Sequence, residues 1–410
     1  MSGRWRARRG GGGRLAPGRP RAGLRPPGRT GRALTWALLV AAAACSAPHS
    51  ALDPASEAAS AIADLWWLLL AVCVGVFVVV LALYAYAVAR RRPREGGARA
   101  VRPGEASAAR RREPGGDAGA PAHGSSGEAE VGTPGPEEDA ESTGRGPVLA
   151  VVVGGAVTAL ILVWLTVVTI LTSGRLQRAS DMAGADAAGP EGAGEPVEVH
   201  VIGHQFWWEV RYPGSGAVTA NEIHLPAGRP ARVRLTSGDV VHSFWVPRLH
   251  GKRDMTPGRV EELVLAPREP GVYRGFCSEF CGVQHALMGL LVVVEAPERF
   301  EAWLREQAEA APRPEAEEAR RGEQVFVAAQ CAFCHTVRGL EVAGPGDVGP
   351  DLTHLASRRT LGAGTVSNEA GALASWITDP HALKPGVRMP ATRLAPEDLD
   401  ALVAYLGSLR

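Results

Sequence analysis

The chain has 410 residues, which leaves room for two or three domains rather than one. Its 50 glycines and 31 prolines are too many for one compact core, although 46% of the chain is hydrophobic, so they must be concentrated in particular stretches. The formal net charge of +1 argues against a nucleic-acid partner. Two long apolar runs exclude a purely soluble cytosolic protein.

The first 44 residues have the composition of a secretion signal. Residues 1–32 carry ten arginines and no acidic residue, and an apolar run of twelve residues follows at 33–44. That run is too short to span a bilayer. We therefore predict a signal peptide over 1–44, and whether Cys45 is lipidated after cleavage stays open.

Two uncharged segments farther along are long enough to cross a bilayer, and we predict transmembrane helices at 65–89 and 148–172. Nine arginines lie between Arg90 and Arg112, so the positive-inside rule places the intervening loop, 90–146, in the cytoplasm. This loop has almost no large apolar residue and is predicted to be disordered. Its basic half could contact membrane lipid, and the chain beyond the second helix is expected outside the cell.

The rest of the chain divides by its hydrophobic pattern. Short alternating runs separated by Pro and Gly predict a β-sandwich over 196–295. A helix and a linker rich in Pro and Glu follow at 296–318, and the pattern of 319–410 is helical. The predicted fold class is a multidomain membrane protein with a transmembrane hairpin, an all-β sandwich and an all-α domain.

The richest stretch of the sandwich carries soft metal ligands. Two thiolates, two imidazoles and a thioether select copper among the common metals. Cys277 and Cys281, four residues apart, could bridge two copper ions. In this interpretation His242 and His285 each cap one ion, and Met288 is a weak ligand to one of them.

The backbone carbonyl of Glu279, between the two cysteines, is the other weak ligand in this interpretation. Two alternatives remain at this point. The same cysteines and histidines could form a tetrahedral zinc site, or Cys277 and Cys281 could form a disulfide. The thioether of Met288 favours copper.

The helical region contains the attachment motif for c-type haem, Cys331-Ala-Phe-Cys334-His335. In this motif the two cysteines bond the porphyrin covalently and the adjacent histidine lies under the iron. Met389 is the only methionine of this region, and it is the candidate for the opposite axial position.

Several motifs together resemble one known family, subunit II of haem–copper cytochrome c oxidase of the caa type. In that family a cytochrome c domain is fused behind a domain with a dinuclear copper centre, CuA. The stretches that carry the resemblance are 203–208, 242–247, 252–259, 277–288 and 331–335.

The resemblance implies a cupredoxin domain over 196–295 and a class I cytochrome c domain over 319–410, on the outer side of a bacterial plasma membrane. It implies that electrons pass from an external donor, such as a cytochrome or a quinol–cytochrome c reductase, through haem c and CuA to haem a of subunit I. Subunits I and III are then the expected partners. The resemblance also implies that Glu279 binds magnesium through its side chain and that Pro350 orients His335.

The chain departs from the family at two positions. The aromatic residue usually credited with electron entry is a tryptophan, and here it is Phe206. A glutamate usually precedes the second span, and here the nearest is Glu141. Neither span contains a histidine, so the oxygen-reducing centre must belong to another chain.

Two other functions could use some of the same residues. A nitrous oxide reductase also carries CuA, but it needs a further histidine-rich copper domain, which no segment supplies. A membrane-anchored electron carrier that serves another terminal reductase remains the alternative function.

Overall fold

The computed structural model describes residues 50–90, 145–185, 195–341 and 348–410. The predicted signal peptide, Glu141 and the interior of the predicted cytoplasmic loop lie outside these residues. The chain forms two compact units, one with most of the two long helices and one with the remaining domains.

Both long helices extend beyond the apolar runs that predicted them. Helix α1 spans Glu57–Arg90 and helix α2 spans Arg145–Ala185. Each contains a stretch apolar and long enough to cross a membrane, and that stretch is exposed in the molecule. The hydrophobic pattern marks only the apolar part of a helix, so the sequence placed their starts too late, at residues 65 and 148. Arg90 and residues 145–146, predicted as loop, are helical.

Two five-stranded sheets form the sandwich. The strand order is β3-β2-β1-β5-β8 in one sheet and β4-β10-β9-β6-β7 in the other. The strands are β1 (Val197–His204), β2 (Trp207–Tyr212), β3 (Ala217–Ala220), β4 (Glu222–Pro226), β5 (Ala231–Ser237), β6 (His242–Trp245), β7 (Arg253–Met255), β8 (Glu261–Leu265), β9 (Gly271–Cys277) and β10 (Gly289–Glu295).

The sandwich core follows from the alternation in the sequence. In β1, Val197, Val199 and Val201 are buried while the residues between them are not, because successive side chains point to opposite faces of a strand. Helix α3 (Pro297–Ala308) closes one side of this core with Phe300, which is buried. The expectation of an all-β sandwich is confirmed.

The C-terminal region is helical, as predicted. Its helices are α4 (Glu317–Ala328), α5 (Ala370–Thr378), α6 (Pro380–Leu383) and α7 (Pro396–Ser408), with a short hairpin of β11 (Thr360–Leu361) and β12 (Val366–Ser367).

Helices α4 and α7 cross in close contact. A side chain at Gly322 would place its Cβ only 1.9 Å from the carbonyl oxygen of Ala401, so only glycine fits this crossing. The rings of Phe326 and Tyr405 pack edge to face beside it, with their centroids 5.7 Å apart. The crossing fixes the two helices that bracket the cysteine motif.

Candidate metal and haem sites

Strand pairing brings the predicted copper ligands together. Strand β9 ends at Cys277, and β6, which begins at His242, pairs with it. The chain then turns through a loop and a 3-10 helix that begins at His285, and it enters β10 just after Met288. The neighbouring strands β6, β9 and β10 therefore bring the first and last residues of the ligand set close together.

The distances within this group suit two bridging sulfurs that are each served by a different imidazole. The sulfurs of Cys277 and Cys281 are 3.7 Å apart and not bonded to each other, which excludes the disulfide alternative. His242 Nδ1 lies 3.8 Å from the Cys277 sulfur, and His285 Nδ1 lies 4.0 Å from the Cys281 sulfur. Met288 Sδ is 3.9 Å from the Cys281 sulfur.

The backbone carbonyl of Glu279, which lies between the two cysteines in the chain, is 3.2 Å from the Cys277 sulfur. The Glu279 side chain faces Lys252, whose Nζ is 3.5 Å from its carboxylate. The carbonyl is therefore available to a metal at the sulfurs, while the carboxylate has a cationic partner.

The electrostatics of the cluster favour a thiolate at Cys277. A hydrogen bond from the Cys281 thiol and one from His242 lower the pKa of Cys277 despite its burial. The same sharing raises the pKa of Cys281. One proton is thus lost readily from the pair, and a metal would displace the other.

Asp239 fixes the orientation of His242, and the sequence analysis missed it. Its Oδ1 lies 2.9 Å from His242 Nε2, so the ring donates that proton and turns Nδ1 toward Cys277. A carboxylate behind a ligating imidazole is the usual second partner in metal sites. Gly203 leaves room for this ring, since a Cβ there would lie 2.8 Å from it.

The cysteine motif of the helical domain lies on a 3-10 helix, Cys331–Phe333, directly after α4. His335 follows it, and its Nδ1 lies 2.8 Å from the Pro350 carbonyl oxygen, so the ring donates this hydrogen bond and leaves Nε2 free. A Cβ at Gly349 would lie 2.6 Å from the same ring, so the chain passes close beneath it. Burial lowers the pKa of His335, which favours the neutral imidazole that iron binds.

An open cavity lies over this imidazole, and Cys331, Cys334 and Met389 line it. Its wall is mainly apolar, and the helices contribute Phe326, Leu373, Trp376, Ile377, Leu402 and Leu406. The residues present therefore fit a covalently held haem, with His335 and Met389 as the candidate axial ligands.

The cavity is also lined by the copper-site domain, through His204, Phe206 and Trp207. The two proposed redox sites therefore belong to one compact unit. Sequence reasoning did not foresee this contact, because it joins residues far apart in the chain.

Residues 384–388, which we call the docking segment, make most of the contact near the copper site. Gln284, between the ligands Cys281 and His285, donates its side-chain amide to the carbonyls of Lys384 (3.1 Å) and Pro385 (2.9 Å). Arg388 donates to the side-chain oxygen of Gln205. The segment leads directly into Met389, so the candidate haem ligand is anchored on the copper loop.

Gln205 and Phe206 form the opposite side of this contact. The Gln205 amide donates to the Cys281 carbonyl at 2.6 Å, and Phe206 accepts a hydrogen bond from Lys384 Nζ through its carbonyl at 3.0 Å. The Phe206 ring lies against Gly282, where an added Cβ would be 3.0 Å from it. The residue that departs from the family pattern therefore faces the chain's own cytochrome-like domain.

A second contact is made by Glu222 of β4. Its Oε1 accepts hydrogen bonds from the backbone amides of Arg359 (2.6 Å) and Thr360 (3.1 Å). Glu222 is almost fully buried, so these two bonds compensate for the removal of a carboxylate from water.

Two family models match the chain. Residues 216–296 match the periplasmic domain of cytochrome c oxidase subunit II, and residues 319–410 match cytochrome c. Their order along the chain is the order of the two sites described above.

Curated relatives carry the same name. The chain is 38% identical over 222 residues to cytochrome c oxidase subunit 2 of Alkalihalophilus pseudofirmus. This alignment covers 54% of this chain and 64% of that protein. It is 30% identical over 227 residues to cytochrome c oxidase subunit 2 of Bacillus subtilis. That alignment covers 53% of this chain and 64% of the Bacillus subtilis protein. The match thus spans less than two thirds of either relative.

Among solved structures, the periplasmic domain of subunit II of cytochrome oxidase of Bradyrhizobium japonicum is 28% identical, with a TM-score of 0.27. The alignment covers 27% of this chain and 92% of that one. From the two family matches, the chain carries a domain of the cytochrome c oxidase subunit II family followed by a C-terminal cytochrome c domain, the fusion that the motifs predicted.

Proposed function

We propose that the chain is the electron-transfer subunit of a haem–copper oxidase, which passes electrons from an external donor through haem c and CuA to haem a of subunit I. The observation that carries this proposal is the shared cavity, whose lining includes Cys331, His335 and Met389 together with Phe206 and Trp207. The cavity that would hold the haem is therefore walled in part by the copper-site domain. The relatives named cytochrome c oxidase subunit 2 support the same assignment.

The residue roles follow from the distances already given. Cys277 and Cys281 would bridge two copper ions, His242 and His285 would cap them, and the weak ligands would be Met288 and the Glu279 carbonyl. The separate imidazole beside each sulfur supports two metal ions rather than one tetrahedral zinc ion. Bound there, the copper pair supplies a one-electron site whose charge is spread over two metals.

On the haem side, Cys331 and Cys334 would hold the porphyrin covalently. His335 would bind the iron through Nε2, because Pro350 accepts the proton on Nδ1. Met389 would close the sixth position and raise the potential of the iron. Magnesium at the Glu279 side chain, next to subunit I, completes the proposed cofactors.

In the membrane, we propose that the chain is a multi-pass protein of a bacterial plasma membrane, anchored by α1 and α2. The copper and haem domains would face the outer side, and subunits I and III would be its partners. The oxygen-reducing centre would lie in subunit I, which fits the absence of histidine from both apolar spans.

The test is purification of the full-length chain from a membrane with its natural partners. We expect a c-type haem spectrum, a mixed-valence copper signal in electron paramagnetic resonance, and co-purification of haem a. Both cofactors without any haem a would instead support a membrane-anchored carrier that serves another reductase. A purified chain without the copper signal would overturn the proposal.

A further inference from the structure

Lys384 has unusual surroundings for a lysine. It is one of only two lysines in the chain, and it is 2% exposed. Its Nζ donates to two backbone carbonyls, that of Phe206 at 3.0 Å and that of Gly362 at 2.9 Å. One of these belongs to the copper-site domain and the other to the cytochrome domain.

Hydrogen bonds hold both the backbone and the side-chain ammonium group of Lys384. The fully buried amide of Gln284 holds its backbone carbonyl, while Phe206 holds its ammonium group. Two residues on, Gly386 fits so closely that a Cβ there would lie 2.8 Å from the side chain of Val283. Gln284 and Val283 both lie between Cys281 and His285, so the lysine is held against the copper loop.

The charge of Lys384 is not neutralised by an acidic side chain. In residues 50–90, 145–185, 195–341 and 348–410, no carboxylate oxygen lies within 4.0 Å of its Nζ. Burial lowers the pKa of Lys384 to about 8, although the electrostatic interaction with Cys281 acts in the opposite direction. The side chain therefore remains mainly protonated at neutral pH.

We propose that the cytochrome domain supplies Lys384 as a buried cation to the copper centre, and that this cation raises the potential of CuA. The inference deepens the proposed function and rests on it. A reduced copper pair carries one positive charge fewer than an oxidised pair, so a fixed cation nearby favours reduction. Because the region is shielded from water, the interaction is stronger than between exposed charges. The potential of the copper then depends on the cytochrome domain being docked.

The first test compares Lys384→Gln and Lys384→Met in the copper- and haem-loaded full-length chain by redox titration of the copper signal. Gln keeps a hydrogen-bond donor for Phe206 and loses the charge, whereas Met loses both. We expect the copper potential to fall in both variants, so that the equilibrium ratio of reduced to oxidised copper at a fixed solution potential drops by roughly tenfold. Arg299→Gln also removes one positive charge, from a side chain of α3 that is 79% exposed, and should cause a much smaller change.

A purely structural role would leave the potential unchanged in Lys384→Gln, and that result would overturn the proposal. An equally large fall in Arg299→Gln would also overturn it, since net charge alone would then explain the effect. Absence of the copper signal from the wild-type chain would instead refute the proposed function.

A second variant keeps every charge, in case the Lys384 variants do not fold. Gly386→Ala should push the docking segment away from Val283, and the copper potential should fall in the same direction. Gly216→Ala is the matched control, because Gly216 has a similar φ of +76°, against +84° for Gly386, but open space around it. Unchanged potential in folded Gly386→Ala protein, with docking shown to be loosened by hydrogen exchange, would contradict the proposal.

Discussion

Cys277 and Cys281 have different neighbours, so each sulfur lies beside a different set of candidate metal ligands. Cys277 has the oriented imidazole of His242 and the Glu279 carbonyl, while Cys281 has His285 and Met288. A serine oxygen in place of either sulfur is a poor bridge for soft copper. Loss of either thiol should therefore affect both metal ions.

We predict that Cys277→Ser and Cys281→Ser each abolish the mixed-valence copper signal and leave covalent haem intact. The haem cysteines lie in a separate domain, so their attachment should not change. Electron paramagnetic resonance and haem-stained gels report the two outcomes. Cys73→Ser, at an exposed free cysteine of α1, is the control and should keep both signals. Survival of the mixed-valence signal in both bridge variants would refute the copper assignment.

Met389 offers a second test at the same scale. Met389→Ala should leave the haem attached through Cys331 and Cys334 but open the sixth position of the iron. The haem is then expected to become high-spin or to bind an external ligand, and its potential should drop. Visible spectra and a redox titration measure this, and an unchanged low-spin spectrum would exclude Met389 as the distal ligand.

His224 predicts how stability depends on pH. It lies 3.2 Å from Glu295 and 3.8 Å from Glu222, with its ring stacked on Trp303. Burial alone lowers the pKa of His224, but hydrogen bonds with Glu222 and Glu295 outweigh it, so the pKa is raised. A raised pKa stabilises the fold fully below the unfolded value of about 6.5, and the contribution is lost as the pH rises through the folded value.

We therefore expect the free energy of unfolding to decrease as the pH rises above about 6.5, and His224→Gln to flatten that decrease. Chemical denaturation at a series of pH values measures both slopes. His200→Gln, on the neighbouring sheet and near the surface, is the matched variant and should retain the wild-type slope. If His224→Gln keeps the full slope, another group is responsible.

At the scale of elements, the crossing of α4 and α7 depends on one glycine. The 1.9 Å approach to the Ala401 carbonyl means that Gly322→Ala must separate the helices, at a cost of about 1–3 kcal/mol or more. Gly407, in α7 itself, has open space around it, so Gly407→Ala should instead stabilise by about 0.5–1 kcal/mol. Thermal unfolding of the two variants should shift in opposite directions, and equal shifts would contradict the packing argument.

The secondary-structure elements and the ligand candidates could be predicted from the sequence, whereas the contacts between distant residues could not. The strands, the helical domain and the ligand candidates follow from local patterns: alternation in β1, the spacing of Cys277 and Cys281, and the haem motif. Asp239 and Lys384 could not be found this way, because their roles depend on tertiary contacts. The hydrogen bond between Gln284 and Lys384, for example, joins residues 100 positions apart, and no periodicity records such a pair.

At the scale of the whole molecule, the two domains form one docked unit rather than two domains on a loose tether. The cytochrome domain contacts Gln205 and Phe206, and in the proposed function this is the surface through which a soluble donor would otherwise pass electrons to the copper. Its haem would then replace the external donor at that surface. The proposed function would then account for Phe206, because a chain with its own docked cytochrome would not need the entry residue for a diffusing one.

Removing the cytochrome domain and removing only its haem should therefore have different effects. The rate of oxygen uptake is measured for the assembled oxidase with a soluble cytochrome c as donor. We predict that this rate is highest for the full-length chain, lower for the chain without 319–410, and lowest for the full-length Cys331→Ala/Cys334→Ala chain. The intact chain gains from a donor held at high effective concentration. The truncated chain exposes Phe206 to the soluble donor, whereas the haem-free chain keeps it covered without a working haem. A small artificial reductant that reaches the copper directly should support similar rates in all three.

The measurement is made over a range of ionic strength, because encounter with a soluble donor weakens with salt while transfer within a docked unit does not. Retention of the copper signal in the truncated and haem-free chains shows that the copper domain is intact in each. Equal rates at every donor concentration would show that haem c is not on the main electron path. A haem-free chain as fast as the truncated one would show that the cytochrome domain does not cover the entry surface, and the docked arrangement would then have no role in donor access.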